Sequence, residues 1–315
     1  MSRLHQLTVV GAGVLGSQIA WHSAYRGKTV VVHDSAVEAI DRCRRAHDEY
    51  AAIYLAEVGA TDSDIAAARE RLTYTADLAA AVSVADLVIE AVPEIKEVKL
   101  GVYKEMAELL PAHALVVTNT STFVPSDFAA ATGRPEKFCA LHFANKIWAA
   151  NFAEIMAHPG TSRDTLTEVT EFAIEIGMVP IPLRKEHNGY VINAWTLPLT
   201  NAAQTMVTNG ISSPEDIDRT FMWLSGAPVG PMGLADAVGM GTIYNVLLHW
   251  GQEFGDAQML ANADYIKMNF LDRGWLGLQS GKGYYEYPNP AYQRADFLAV
   301  PDISQVQHIV SLISP

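Results

Sequence analysis

Apolar residues along the first half of this chain come in short bursts separated by longer stretches of helical spacing. Leu7 to Val10 is a β-rich run; a cluster of glycines and a helical stretch follow, and a second run, Thr29 to Val32, ends at Asp34. Ser35 with Glu38 has the form of a capping box opening a long amphipathic helix. A break at Gly59 and a second helix start near Thr61 and Asp64 complete a helical hairpin, inserted between the second and third strands. Buried strands then return at "ADLVIEAV" (85–92), "LVVTNTSTF" (115–123), "FCALHFA" (138–144), "EIM" (154–156) and "MVPIPL" (178–183). Strands alternating with helices predict an α/β fold.

After "RKEHNG" (184–189), which reads as a hinge, the spacing is helical only. "VINAWTLPLTNAAQTMVTNG" is apolar enough to be largely buried, with Pro198 kinking it. "SSPEDIDRTF" has a helix start with Ser213 as cap, Pro214 at the first helical position and acids in the first turn. "LADAVGMGTIYNVLLHW" continues an all-helical second part, whose apolar stripes read as core or as an interface between copies. "SGKGYYEYP" reads as a glycine-rich turn with a short aromatic segment.

The glycines have a mechanical reading. Gly11-x-Gly13-x-x-Gly16 sits between a strand and a helix. Gly11 permits a tight turn, Gly13 lets backbone approach a pyrophosphate, and Gly16 lets helix and strand pack closely, with phosphate on the helix N-terminus. Asp34 lies 18 residues past the third glycine, where an acid accepts hydrogen bonds from a ribose and repels a 2′-phosphate, favouring NAD over NADP. The plainer alternative is a generic βαβ unit in which Asp34 caps the next helix.

Other chemistry gathers at strand ends. Glu90 is unexpected inside a buried strand; Glu94 and Lys99 follow it onto the sheet edge where ligands of open α/β sheets bind, or they form a solvated pair at a helix start. Asn119, Thr120, Ser121 and Thr122 leave the next strand at the same edge, as helix caps or substrate donors. If the strands around 140 and 155 pair, His142 faces Glu154. A carboxylate on one imidazole nitrogen fixes the tautomer and leaves the other nitrogen to exchange a proton near neutral pH. Oxidising an alcohol with NAD needs such a base; the bland alternative is a buried structural His–Glu contact.

At 315 residues the chain is long enough for about two domains. A formal charge of −13 argues against nucleic acid, which is bound through clustered Lys and Arg. The two cysteines, Cys43 and Cys139, read as buried free thiols, and no spacing suggests a metal site. The first strand starts too early for a signal peptide, and no apolar run has the roughly 18 residues of a membrane helix. A soluble, cytoplasmic protein with no membrane partner is expected.

Taken together, "VVGAGVLGSQIA", "ADLVIEAVPE" with Lys99, "TNTST", "LHFAN" with Glu154 twelve positions after the histidine, "NGYVIN", "GAPVGPMGLADAVGM" and "GLQSGKGYYEY" resemble the 3-hydroxyacyl-CoA dehydrogenase family over essentially the whole chain. The resemblance implies a Rossmann-like NAD-binding domain over 1–186, interrupted by the helical hairpin, and an all-α dimerisation domain over 187–315. It implies His142 as catalytic base, Glu154 as the acid orienting it, Ser121 contacting substrate and nicotinamide, and Asn193 completing the substrate pocket. Gly11, Gly13, Val14, Leu15, Gly16, Asp34, Glu94, Lys99, Asn119, Ser121 and Asn145 are the implied cofactor residues, with Asn145 also at the substrate. The family pattern His-Phe-Phe-Asn-Pro is altered by Ala144 and Lys146, Pro-Gly-Phe reads Asn188, Gly189, Tyr190, and the hairpin turn carries none of the lysines that relatives offer to CoA. The implied activity is NAD-dependent interconversion of a short-chain L-3-hydroxyacyl-CoA and its 3-keto form by a homodimer. Alternatives are a dehydrogenase of a free 3-hydroxy acid, as in gulonate or carnitine dehydrogenases, and a non-catalytic NAD-binding structural protein.

Overall fold

A computed structural model of the protein describes residues 3–313. Its described residues fall into two compact units that part between Ala194 and Trp195. The first is built on one sheet of eight strands: β1 (Gln6–Val10), β2 (Thr29–His33), β3 (Leu72–Thr75), β4 (Leu87–Glu90), β5 (Leu115–Thr118), β6 (Phe138–Phe143), β7 (Phe152–Met156) and β8 (Val179–Leu183). Their spatial order is 3-2-1-4-5-6-7-8, parallel throughout except that β7 runs antiparallel to β6. Between β1 and β4 the order of the chain reverses. Loops leaving the two strands diverge there, so a crevice opens at their carboxyl ends.

Central strands read as continuous apolar runs because both faces are covered. Leu87, Val88 and Ile89 of β4 are fully buried. One face of the sheet packs on α1 (Val14–Tyr25), α2 (Val37–Ile53), α3 (Asp62–Glu70) and α6 (Arg163–Glu175); the other packs on α4 (Leu78–Val82) and α5 (Lys96–Leu109). Each fully buried Val, Leu or Ile contributes about 1.5–3 kcal/mol relative to exposure.

The helical hairpin forms as the pattern predicts. A π-turn, Tyr54–Val58, ends α2 at Gly59 in the left-handed conformation (φ 77°), and Thr61 and Asp64 close a capping box on α3. Its start differs from expectation. Ala36, not Ser35, is the N-cap of α2 and no side chain caps it, because Asp34 Oδ1 accepts the Ala36 amide at 3.0 Å and delays helix entry by one residue. The segment after the hairpin was also not legible as a strand: Leu72–Thr75 is edge strand β3, only four residues long and half-polar.

The second unit consists of the rest of α7 (Ile192–Thr208), α8 (Pro214–Ser225), α9 (Pro231–Val238), α10 (Met240–Phe254), α11 (Ala257–Asn269) and α12 (Val306–Ser311), with short 3₁₀ turns. Ser213 caps α8 as expected, its hydroxyl accepting the Asp216 amide. α7 is not largely buried. Only Ala203, Gln204 and Val207 are. The glycine-rich aromatic segment is anchored by two buried acids. Asp236 accepts the Tyr284 and Tyr285 amides at 2.8 and 2.9 Å, and Asp218 accepts the Met232 and Gly233 amides and the Tyr285 hydroxyl. Among the described residues no helix is long and apolar enough to cross a membrane.

Candidate active site

The turn between β1 and α1 has no room for side chains where the motif places glycine. A Cβ on Gly11, whose φ is 110°, would lie 2.4 Å from the Ala91 carbonyl oxygen, and one on Gly16 would lie 2.0 Å from that of Gly11. Gly13 differs: a Cβ there would meet nothing within 4 Å, so its bare backbone faces open space. No side chain caps α1, leaving its first amides free for an anion, which the helix dipole also favours. Asp34 stands at the end of β2 with Oδ2 accepting the Ala12 amide at 2.9 Å, which ties the acid to the glycine turn. Each carboxylate oxygen accepts one backbone bond and keeps a lone pair for a ribose hydroxyl.

Glu90, at the end of β4, is wholly buried and fully satisfied. One oxygen accepts Lys99 Nζ at 2.7 Å and the Val92 amide at 2.9 Å; the other accepts the Tyr103 and Thr118 hydroxyls at 2.5 and 2.7 Å. Lys99 is equally buried and also reaches Glu94 at 3.1 Å and the Val92 carbonyl at 3.3 Å, so its three donors all have partners inside the protein. The sequence alternative of a solvated Glu94–Lys99 pair is therefore wrong, because Lys99 turns inward from α5 to meet Glu90. Glu94 in turn shapes the loop after β5. Its Oε1 accepts the Ser121 and Thr122 amides, both at 3.0 Å, and the hydroxyls of Thr120 and Thr122. Burial pushes the Glu94 carboxyl up, but the Lys99 ammonium and these hydroxyls outweigh it and hold the group below the usual carboxylate range. The Ser121 hydroxyl is left without a partner among the described residues.

His142 and Glu154 are register partners in the antiparallel β6–β7 pair, with Nδ1 2.8 Å from Oε2. A carboxylate only accepts, so Nδ1 carries the proton and Nε2 presents a lone pair. The other Glu154 oxygen accepts the amides of Val191 and Ile192 at 2.7 and 3.0 Å, so the start of α7 fixes the carboxylate. Tyr190, left-handed at φ 57°, lays its ring 4.8 Å from the imidazole. Asn193, one turn on, points its amide at the Ser121 carbonyl, 3.4 Å away.

Gly13, Val14, Leu15 and Gly16 line one groove with Glu94, Lys99, Asn119, Ser121 and His142; the groove encloses about 200 Å³. Of the remaining sequence-predicted residues, Gly11 and Glu154 support it through the contacts above, while Asp34, at the end of β2, and Asn193, at the Ser121 carbonyl, are not among the residues that line it. Asn145 is exposed just past β6 and does not line the groove. Asn119 also has a structural bond, its Oδ1 accepting the Phe143 amide at 2.9 Å. Sequence reasoning missed Tyr103 and Thr118, which complete the shell of Glu90, and the Val191 and Ile192 amides that hold Glu154. A buried strand glutamate was the one signal for the former; backbone donors leave none.

The residues present fit NAD: an open glycine, uncapped helix amides and an acid at the end of β2 form a cradle of the right chemistry for a pyrophosphate and a ribose. Comparison with known proteins agrees. The model for the NAD-binding domain of 3-hydroxyacyl-CoA dehydrogenase matches residues 6–187, and that for its C-terminal domain matches 189–287. A Deinococcus radiodurans protein named probable 3-hydroxybutyryl-CoA dehydrogenase is 31% identical over 279 residues, 89% of this chain and 99% of its own. A solved diketoreductase, described as acting on dicarbonyl compounds, is 43% identical with a TM-score of 0.85, covering 91% of this chain and 100% of its own. The (S)-3-hydroxybutyryl-CoA dehydrogenase PaaH1 of Ralstonia eutropha is 27% identical with a TM-score of 0.77, covering 91% and 100%. With both domain models matched in order across this sheet and groove, the chain belongs to the 3-hydroxyacyl-CoA dehydrogenase family of NAD-dependent oxidoreductases.

Proposed function

We propose that the chain interconverts a 3-hydroxyacyl compound and its 3-oxo form, with a short-chain 3-hydroxyacyl-CoA as substrate. The observation that carries this reading is the His142–Glu154 contact at 2.8 Å, on the wall of a groove that also holds the glycine turn. Bound NAD supplies the hydride acceptor for the alcohol carbon, and the donor in the reverse direction. His142 Nε2 takes the hydroxyl proton, and Glu154 stabilises the imidazolium that results. The Ser121 hydroxyl and the Asn193 amide hold the oxygen as it becomes a carbonyl. Glu94 and Lys99 keep the Ser121 loop in place, and Asp34 with the glycine turn holds the adenosine side. The same reading assigns 1–186 to cofactor and chemistry and 187–315, apart from Asn193, to pairing of two copies. Replacing His142 by Gln tests it: NADH formation should fall by about 10²–10⁴-fold, the ordinary worth of a general base, while NAD still binds. Retention of most turnover would refute the role given to His142.

A second reading keeps the chemistry and drops CoA. Between Tyr54 and Asp64 the hairpin tip carries Glu57, Asp62 and Asp64 and no Lys or Arg, an unsuitable surface for the phosphates of CoA. The 43% identical diketoreductase, described as acting on dicarbonyl compounds, supports it as well. Rates on acetoacetyl-CoA, free acetoacetate and a simple β-diketone separate the two. No detectable rate on the thioester would remove the first.

A further inference from the structure

Resting on the dehydrogenase reading above, one consequence follows from the charges beneath the groove. Glu90 and Lys99 have side chains 0% and 1% exposed, and Glu94 is 35% exposed. Two carboxylates face one ammonium, a formal sum of −1. Among the described residues nothing else in their shell offsets it: Tyr103 and Thr118 contribute neutral hydroxyls, and burial followed by the adjacent Glu90 raises the Tyr103 phenol well above its ordinary range. Lys99 and Glu94 line the same groove as His142. The carbon that loses hydride carries the hydroxyl His142 serves, so the reacting nicotinamide ring has to lie in this groove, close to the triad.

We propose that the Glu90–Lys99–Glu94 triad is a charge-selective device that makes this site bind the oxidised, cationic nicotinamide in preference to the reduced, neutral one. Glu90 is its positioning residue, holding Lys99 and through it Glu94. The charge balance of the reaction gives the arrangement its use. On oxidation the C–H bond breaks with its electron pair leaving as hydride to the ring, and the O–H proton passes to His142 Nε2. One positive charge thus moves from the ring to the imidazole, from beside the triad to beside Glu154. The site holds one anionic pole at each end of that transfer. A selective hold on the oxidised cofactor favours, on the enzyme, the direction that produces it, reduction of the oxo compound.

The test is the pair of dissociation constants for NAD⁺ and NADH, measured by calorimetry without substrate, in wild type and in Glu90→Gln. A glutamine keeps the shape, its oxygen accepting from Lys99 and Val92 and its amide donating to the rotated hydroxyls of Tyr103 and Thr118. One unit charge acting across about 10 Å at an effective dielectric constant near 20 is worth on the order of tenfold in affinity. The NAD⁺ constant should therefore rise about tenfold while that for NADH stays within about twofold. Tyr103→Phe disturbs the same shell without changing its charge, and should move both constants together. Should Glu90→Gln not fold, Glu94→Gln removes the same charge from the more exposed end and should shift the same ratio. Equal changes in both constants, or none, in the charge-removing variants would overturn the proposal with the dehydrogenase reading intact. Failure of the wild-type protein to bind either cofactor would instead overturn the reading on which it rests, and the proposal with it.

Discussion

Replacing Glu154 by Gln isolates proton handling from everything else at the site. The native carboxylate accepts from His142 with one oxygen and from the Val191 and Ile192 amides with the other. Glutamine has nearly the same shape, but its two ends are not equivalent. If the amide oxygen keeps the two backbone donors, the NH₂ group faces Nδ1. The imidazole must then carry its proton on Nε2, which leaves no lone pair to receive one from substrate. If the amide is flipped, NH₂ is pressed against two buried donors at a cost of about 1–3 kcal/mol. In either case the charge that stabilises the imidazolium is gone. With charge centres about 4 Å apart and an effective dielectric constant near 20, that charge is worth about 4 kcal/mol, or about a thousandfold in rate. We expect kcat for alcohol oxidation, followed by NADH absorbance, to drop about a thousandfold. NADH affinity should stay close to wild type, and the variant should remain folded. A loss of less than tenfold in a folded, NADH-binding variant would refute the assignment of Glu154 as the group that sets the imidazole tautomer and charge.

Acid should loosen the packing of the hairpin. His22 and His47 each donate Nε2–H to a carbonyl, of Ile176 at 2.7 Å and of Ser17 at 2.9 Å, and accept a tyrosine hydroxyl at Nδ1, from Tyr54 and Tyr74. Burial lowers both from 6.5 to about 4. The folded state therefore favours neutral imidazoles; their contribution is complete above the unfolded value and is lost as pH falls through it towards 4. Linkage gives about 2 kcal/mol for each between pH 7 and pH 5, so the urea midpoint should fall clearly over that interval, and an unchanged midpoint would contradict the argument. The glycine turn supplies a paired prediction. Gly13→Ala meets nothing within 4 Å at an ordinary φ of −70°, so it should melt like wild type yet bind NAD at least tenfold more weakly, through a methyl in the space left for a pyrophosphate. Gly16→Ala, 2.0 Å from the Gly11 carbonyl, should lose stability as well as affinity, and equal melting temperatures for the two variants would show that the turn is not packed as described.

What was legible in the sequence has a physical pattern. The glycine turn could be read because each glycine answers a local steric demand. The His142–Glu154 pair could be read because two antiparallel strands joined by a short link place register partners a fixed number of residues apart. Glu90 could be flagged but not explained: its partners Lys99, Tyr103 and Thr118 lie 9, 13 and 28 residues away, brought to it by a helix and a neighbouring strand. The second hold on Glu154 was invisible for a deeper reason, since it comes from main-chain amides 37 and 38 residues on, and any sequence could supply them. Ser35 misled in the opposite sense. Its capping-box spacing with Glu38 is sound, but the acid one residue earlier engages the backbone of the turn first.

Three acids of the site, the glutamates, share one construction. Each of Glu90, Glu94 and Glu154 accepts several donors from segments distant in sequence, and each thereby fixes a loop rather than simply carrying a charge. Glu90 and Glu94 set the turn that bears Ser121; Glu154 sets the imidazole on one side and the start of α7, with Asn193, on the other. Buried carboxylates with full shells are costly to disturb, so this frame resists variation. The loop after β6 is built differently. Lys146 takes a left-handed backbone conformation at φ 59°, and the side-chain oxygen of Gln18 receives the Lys146 amide at 2.7 Å and that of Ile147 at 3.4 Å. Residues 144–148, where this chain departs from the family pattern at Ala144 and Lys146, are thus held by the Gln18 amide oxygen and by packing of Ile147 and Trp148, the latter against Tyr50 and Tyr54, and not by the acid frame. On the proposed reading, substitutions in that loop change what the site accepts while His142 and Glu154 keep their register and their 2.8 Å contact.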